Sequence, residues 1–281
     1  MRVDAHQHFW RLADREGQWP PPTLAAIHRD FGPEDLEPQL RACGIDATVL
    51  VQSLPSVEDT RWMLSVAART PWVRGVVGWV DFKATDAAAQ IDELARDPAL
   101  KGLRPMLQDL PRDDWIDDPA CAPAAAAMQR HDLVFDALVL PRQLPALGRF
   151  ARRHPGLRLV VDHAAKPFIA RGELEPWRTD LAALAALPQV HCKVSGLLTE
   201  AGDRLDDAAL RPYVQTLWEL FGPRRLLWGS DWPVLRLAAD YAPWWHQAQR
   251  LASQLHPAPA AADLDALFGG NAAALYRLTP C

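Results

Sequence analysis

The chain reads as a (β/α)8 barrel, an α/β fold in one domain spanning residues 1–281. Three observations predict it. Eight short runs rich in Val and Leu recur along the chain, with starts roughly 24 to 44 residues apart, the scale of βα units. These runs lack clean apolar–polar alternation, which suits strands buried on both faces. Amphipathic stretches of helical length separate them, and eight such units make a barrel of about 250 residues. An open doubly wound sheet is the competing arrangement. It usually carries a Gly-rich phosphate loop after its first strand, and none is present.

In order, strands are expected over 3–8, 47–52, 73–80, 100–104, 133–139, 157–163, 190–195 and 226–230. The first connection, 9–33, is long and contains Trp19-Pro20-Pro21-Pro22, which cannot be helical because proline lacks the amide hydrogen and clashes with the preceding turn. It leaves the mouth where barrel enzymes place their chemistry and is expected to fold over that mouth as a loop or lid. The first helix, 34–43, begins beside Pro33, suited to a first turn, and stops at Gly44. Further helices are expected over 57–69, 84–95, 120–130, 144–154, 176–187, 207–221 and 239–255, with terminal caps at 263–268 and 271–276.

Composition bounds the function. The chain is 49% hydrophobic and 23% charged, an ordinary globular balance. Its net charge of -5 argues against a nucleic-acid partner, which favours a basic face. No apolar run reaches the roughly 18 residues of a membrane helix, and the start lacks the pattern of a secretory signal. Cys43, Cys121, Cys192 and Cys281 are scattered, with no Cys-x-x-Cys pair. They read as reduced thiols of a cytoplasmic protein. Monomer and homo-oligomer both stay open.

The chemistry is carried by four residues at strand ends. His6 and His8 lie two apart on the first strand and therefore share a face. Asp4 is expected on the same face, deeper in the barrel. His163 ends the sixth strand, and Asp231 follows the eighth in Leu226-Leu227-Trp228-Gly229-Ser230-Asp231-Trp232-Pro233. Neutral imidazoles with a carboxylate suit one divalent ion, Zn²⁺ foremost, which would acidify water and polarise a carbonyl. The same four could work without metal, with Asp231 and His163 as base and His6 and His8 polarising a carbonyl. Each also has a structural alternative: a packed His-x-His, a hydrogen-bonded core His163, an Asp231 helix cap. Their coincidence at one mouth favours a hydrolytic centre.

Several motifs carry a family resemblance. Asp4-Ala5-His6-Gln7-His8-Phe9-Trp10, Val161-Asp162-His163-Ala164-Ala165-Lys166-Pro167, Lys193-Val194-Ser195-Gly196-Leu197 and Gly229-Ser230-Asp231-Trp232-Pro233-Val234 resemble the amidohydrolase-2 family of the amidohydrolase superfamily. Val51-Gln52 and Lys101-Gly102-Leu103-Arg104-Pro105-Met106-Leu107-Gln108 bring the chain nearest to the L-fuconolactonase and L-rhamnonolactonase group. The resemblance covers nearly the whole chain. It implies a hydrolase that opens a sugar-derived lactone to the free acid, with His6, His8, His163 and Asp231 at the metal or catalytic positions. Arg104 and Asp136 stand where binuclear relatives carry a bridging group and a histidine, which argues against two metals and leaves one ion or none.

A sugar lactone needs hydrogen bonds to hydroxyls and a flat apolar face. Gln52, Arg104 and Lys166 supply the first; Trp79 and Trp232 supply the second. Lys193 and Ser195 also lie at a strand end, with the alternatives of an internal ion pair and a turn cap. Two other functions fit the same fold: metal-dependent non-oxidative decarboxylation of an aromatic or related acid, and carbohydrate binding without catalysis.

Overall fold

A computed structural model describes residues 1–279; Cys281 lies outside them. All eight expected strands form: β1 Val3–Gln7, β2 Ala47–Val51, β3 Val73–Gly78, β4 Leu100–Leu103, β5 Val134–Ala137, β6 Leu159–Val161, β7 Val190–Val194 and β8 Leu226–Trp228. They lie in one sheet in chain order, each parallel to the next. The outer ring is α1 Pro33–Cys43, α2 Val57–Ala67, α3 Ala87–Leu94, α4 Ala122–Arg130, α5 Leu144–Arg153, α6 Trp177–Ala185, α7 Asp207–Phe221 and α8 Tyr241–Ser253. Two short helices follow, α9 Ala261–Asp265 and α10 Asn271–Leu275.

Local chemistry accounts for the boundaries. Pro33 opens α1, the Asp35 carboxylate accepts the Gly32 amide at 3.0 Å, and Gly44 stops the helix in the left-handed conformation at φ 65°. Strands β6 and β8 are shorter than expected because the chain leaves the ladder before His163 and Asp231, both with left-handed backbone. Among the described residues, no helix is long and apolar enough to cross a membrane.

The barrel closes through its last and first strands just beyond the end of β8. The Asp231 amide donates to the His6 carbonyl at 2.8 Å, and the His8 amide donates to the Trp232 carbonyl at 2.7 Å. One large core lies between the outward faces of the strands and the helices; Leu50, Val76, Leu103 and Phe135 belong to it. A smaller cluster fills the barrel itself. Val3, Ala5, Val49, Val134, Val160 and Leu227 meet Leu275, Tyr276 and Leu278 from the C-terminal segment, which plugs the floor.

One expectation about β1 fails. Asp4 does not share the inner face of His6 and His8. The register slips between Asp4 and Gln7, so three steps on β1 oppose two on β2, the count of a β-bulge. Ala5 and His6 both face inward, while the Asp4 carboxylate turns to the outer ring. There it accepts the Tyr241 hydroxyl of α8 at 3.0 Å, the Ser230 amide at 2.8 Å and the His6 amide at 3.1 Å.

Candidate active site

The four singled-out residues meet at the mouth of the barrel. The Oδ1 atom of Asp231 lies 3.1 Å from His8 Nε2, 3.7 Å from His6 Nε2 and 3.7 Å from His163 Nε2. The His6 ring centre is 4.9 Å from that of His8 and 4.5 Å from that of His163. All four side chains are buried.

Each is held from behind. His8 Nδ1 lies 2.7 Å from the Val51 carbonyl. A carbonyl only accepts, so Nδ1 carries the proton and Nε2 presents a lone pair to Asp231. His163 Nδ1 lies 2.9 Å from Ser195 Oγ, so Ser195 orients a ring. Residues His163, Ala164, Ala165 and Lys166 all have left-handed backbone, at φ 51°, 52°, 59° and 55°. Such a conformation costs about 1–2 kcal/mol per residue. Trp177 Nε1 donates to the Ala164 carbonyl at 2.6 Å and the Lys166 amide donates to the His163 carbonyl at 2.8 Å, fixing the turn. Two glycines make the approach possible: a Cβ on Gly196 would lie 2.5 Å from His163 Nδ1, and one on Gly229 would lie 2.8 Å from His6 Cβ.

Beneath the histidines lies a dry layer of charge. Lys193 Nζ reaches Asp136 Oδ2 at 2.6 Å, Asp162 Oδ1 at 2.9 Å and His6 Nδ1 at 3.1 Å. Arg104 Nη1 contacts Asp162 Oδ2 and His6 Nε2, each at 3.3 Å, while Nη2 donates to the Gln52 carbonyl. Tyr276 donates its hydroxyl to Asp136 at 2.7 Å. Lys193 is thus the internal ion-pair member that its alternative described. Two cations balance Asp136 and Asp162, and neither forms a hydrogen bond with Asp231.

Titration sharpens the point. Burial pushes His163 down to about 4 despite the attraction of Asp231 and Asp162. Burial likewise lowers His8, and burial with Lys193 lowers His6 well below its ordinary value. Burial opposes ionisation of Asp231, but the attraction of His163 and, less, His6 holds its carboxyl well below the usual carboxylate range. At neutral pH three neutral imidazoles therefore surround a buried carboxylate whose own charge is unpaired. The His8 lone pair and the carboxylate oxygen, both electron-rich, face each other at 3.1 Å. That donor set fits one divalent cation. His6, His163 and Asp231 offer ligand atoms within 4.8 Å of one another, the one such cluster among the described residues; His8 adjoins it through Asp231.

The cluster opens into a cavity of about 400 Å³. Arg104, Lys166, His163, His8 and Asp231 line it, as the sequence suggested. Gln52 does not: its amide donates to the Arg104 carbonyl at 2.5 Å, so it braces the arginine. Trp232 does not: it follows Asp231 on the opposite face and packs against Phe31 and Phe9 at 5.2 and 6.1 Å. Trp79 lines a neighbouring cavity instead. Sequence reasoning missed Ser53, Met106, Gln108, Leu138, Thr199 and Glu200, which also line the cavity at the cluster. Most sit in loops without a motif, although Glu200, 3.3 Å from Lys166, could have been sought as a partner for that lysine.

The sequence profile of the family described as "Amidohydrolase" matches residues 3–278. An L-fucono-1,5-lactonase of Burkholderia ambifaria is 57% identical over 281 residues, covering 99% of this chain and 96% of the relative. An L-fucono-1,5-lactonase of Burkholderia multivorans is 39% identical over 290 residues, with coverage of 99% and 96%. A crystal structure of an amidohydrolase from Burkholderia multivorans with bound Zn superposes with a TM-score of 0.92 at 39% identity, covering 99% of this chain and 100% of the other.

Proposed function

The chain belongs to the amidohydrolase family, and we propose that it adds water across the ring ester of L-fucono-1,5-lactone, giving the open aldonic acid. The observation that carries this is the convergence of three buried imidazoles on one oxygen of Asp231 at the floor of a cavity of about 400 Å³. The substrate is the one for which the relatives at 57% and 39% identity are named. Those names also favour ester hydrolysis over decarboxylation.

Asp231, ionised and facing the cavity, takes the proton from the attacking water and returns it to the departing ring oxygen. Arg104 carries a permanent positive charge on the cavity wall, held by Asp162 and Gln52, and steadies the oxyanion as it forms. Ser195 keeps the His163 ring aimed at Asp231. Lys166 and Glu200, paired at 3.3 Å on the wall, suit the sugar hydroxyls, while Met106 and Leu138 offer apolar surface to the C–H face.

One divalent ion, Zn²⁺ by the chemistry of the donors and by the zinc in the 39% identical relative, is held in this proposal by His6, His8, His163 and Asp231. When bound, it supplies Lewis-acid polarisation and acidifies water.

The segment 9–33 serves as the proposed lid. Its neck is tied by the Trp10 and Phe31 amides, which donate to each other's carbonyls at 3.1 and 3.0 Å. Arg15, a buried residue of the segment, donates to Ser53 Oγ at 3.1 Å and to the Trp19 carbonyl at 3.3 Å, and Trp19 lines the cavity.

The test is the initial rate of acid release from L-fucono-1,5-lactone in a pH-indicator assay, with elemental analysis of the same preparation. Turnover should exceed the buffer reaction, fall on removal of the ion by chelation, and return with zinc. A rate equal to buffer in the metal-loaded protein would overturn the lactonase proposal. Full activity after complete metal removal would overturn the metal role alone.

A further inference from the structure

The barrel mouth is divided into two chambers. The first, described above, lies over the ends of β1, β2 and β4–β8, with Arg104, Lys166, Glu200 and Asp231 among its walls. The second, about 450 Å³, lies over the ends of β2, β3 and β4. Its own walls include Leu54, Trp79, Val80, Phe82, Leu110 and Trp115. Trp19, Ser53, Met106 and Asp109 border both chambers, so the two are neighbours.

A sugar lactone does not need the second chamber. Its ring carries hydroxyls and one methyl, and the first chamber holds the groups suited to them. An adjoining apolar space of similar size calls for an apolar occupant. Its position says which. Arg104 at the end of β4 faces the first chamber, Pro105 faces the second, and Met106 borders both. A lactone whose carbonyl lies between Asp231 and Arg104 therefore has the apolar walls within reach of a substituent on its ring.

We infer that the second chamber binds an alkyl chain carried by the lactone ring, and that the protein hydrolyses 5-alkyl δ-lactones as well as sugar lactones. The inference rests on the lactonase function proposed for the first chamber. The reaction is balanced by water alone: the C–O bond of the ring ester breaks, the water oxygen joins the carbonyl carbon, and its proton goes to the released alkoxide. The product is a 5-hydroxy acid bearing the chain.

The experiment compares δ-lactones whose 5-substituent is hydrogen, methyl, propyl, pentyl or heptyl. Burying each added methylene should raise kcat/KM about fourfold until the chamber is filled. Leu110→Trp, which fills the chamber, should abolish that gain while leaving the rate with L-fucono-1,5-lactone unchanged. Trp115→Ala, which opens a wall, should flatten it. A flat or falling series in the unmodified protein, with L-fucono-1,5-lactone still turned over, overturns the inference and spares the lactonase proposal. The same series is titrated against the Asp231→Asn protein by tryptophan fluorescence, which reads the chamber without turnover. Affinity that rises with chain length supports binding of the chain in the second chamber; affinity independent of chain length overturns it.

Discussion

The inner face of the barrel changes character over one to four residues. Val134 and Val160 belong to the apolar floor, packed with Leu275 and Leu278. Asp136 and Asp162, two positions further along the same strands, belong to the charged layer around Lys193 and Arg104. Past the end of β8 the step takes four residues, Leu227 to Asp231, and on β1 the bulge compresses it to a single residue, Ala5 to His6. The difference teaches how labour is divided along one strand. Burying the floor is favourable at about 25 cal/mol per Å² of apolar surface. The upper layer takes ions out of water, which their mutual attraction repays only when partners are complete. The floor therefore supplies the stability on which the charged layer rests.

Three substitutions break or sharpen that contrast. The largest effect is expected at Asp231→Asn, an isosteric change at the working end of the upper layer. Turnover of L-fucono-1,5-lactone should fall about 10²–10⁴-fold, the usual contribution of a positioned proton acceptor, with the thermal unfolding midpoint no lower than that of the parent. Near-normal turnover would remove Asp231 from the mechanism.

Next is Lys193→Met, which keeps the length of the side chain and removes its charge. Asp136 and Asp162 would then share a dry interior without their common cation, and unfolding in urea should show a loss of about 3–5 kcal/mol. No loss would mean that the layer tolerates unpaired charge.

The smallest effect on function is expected from the floor. Leu275→Ala opens a cavity in the plug and should cost about 2–5 kcal/mol of stability, while kcat/KM of the folded enzyme stays at the parental value. If kcat/KM drops with stability, the two layers are not separable.

The parts of this arrangement that follow local rules could be read from the residues. Eight apolar runs became eight strands, since parallel strands buried on both faces need continuous Val and Leu. The meeting of His6, His8, His163 and Asp231 was legible because the carboxyl ends of barrel strands converge on one mouth. What escaped depended on geometry that no residue type announces. The bulge in β1 moved Asp4 to the outside, and nothing in Val-Asp-Ala-His marks it. The left-handed run His163–Lys166 contains two alanines and no glycine. Trp232 packs outward because its neighbour Asp231 faces in, and Gln52 turned to the Arg104 backbone rather than the cavity. Loop residues such as Thr199 and Glu200 reach the cavity only through tertiary packing.

The seam at which the Asp231 amide meets the His6 carbonyl, and His8 meets Trp232, has a consequence for the life of the chain. During synthesis the two imidazoles of β1 leave the ribosome first, and their carboxylate emerges more than two hundred residues later. A nascent polypeptide, or a fragment clipped before β8, holds a half-built centre with no acid in it. With Asp231 in the role proposed for it, ring opening begins only once the segment after β8 has been made, and its onset in a timed translation reaction would report the moment the last stave locks against the first.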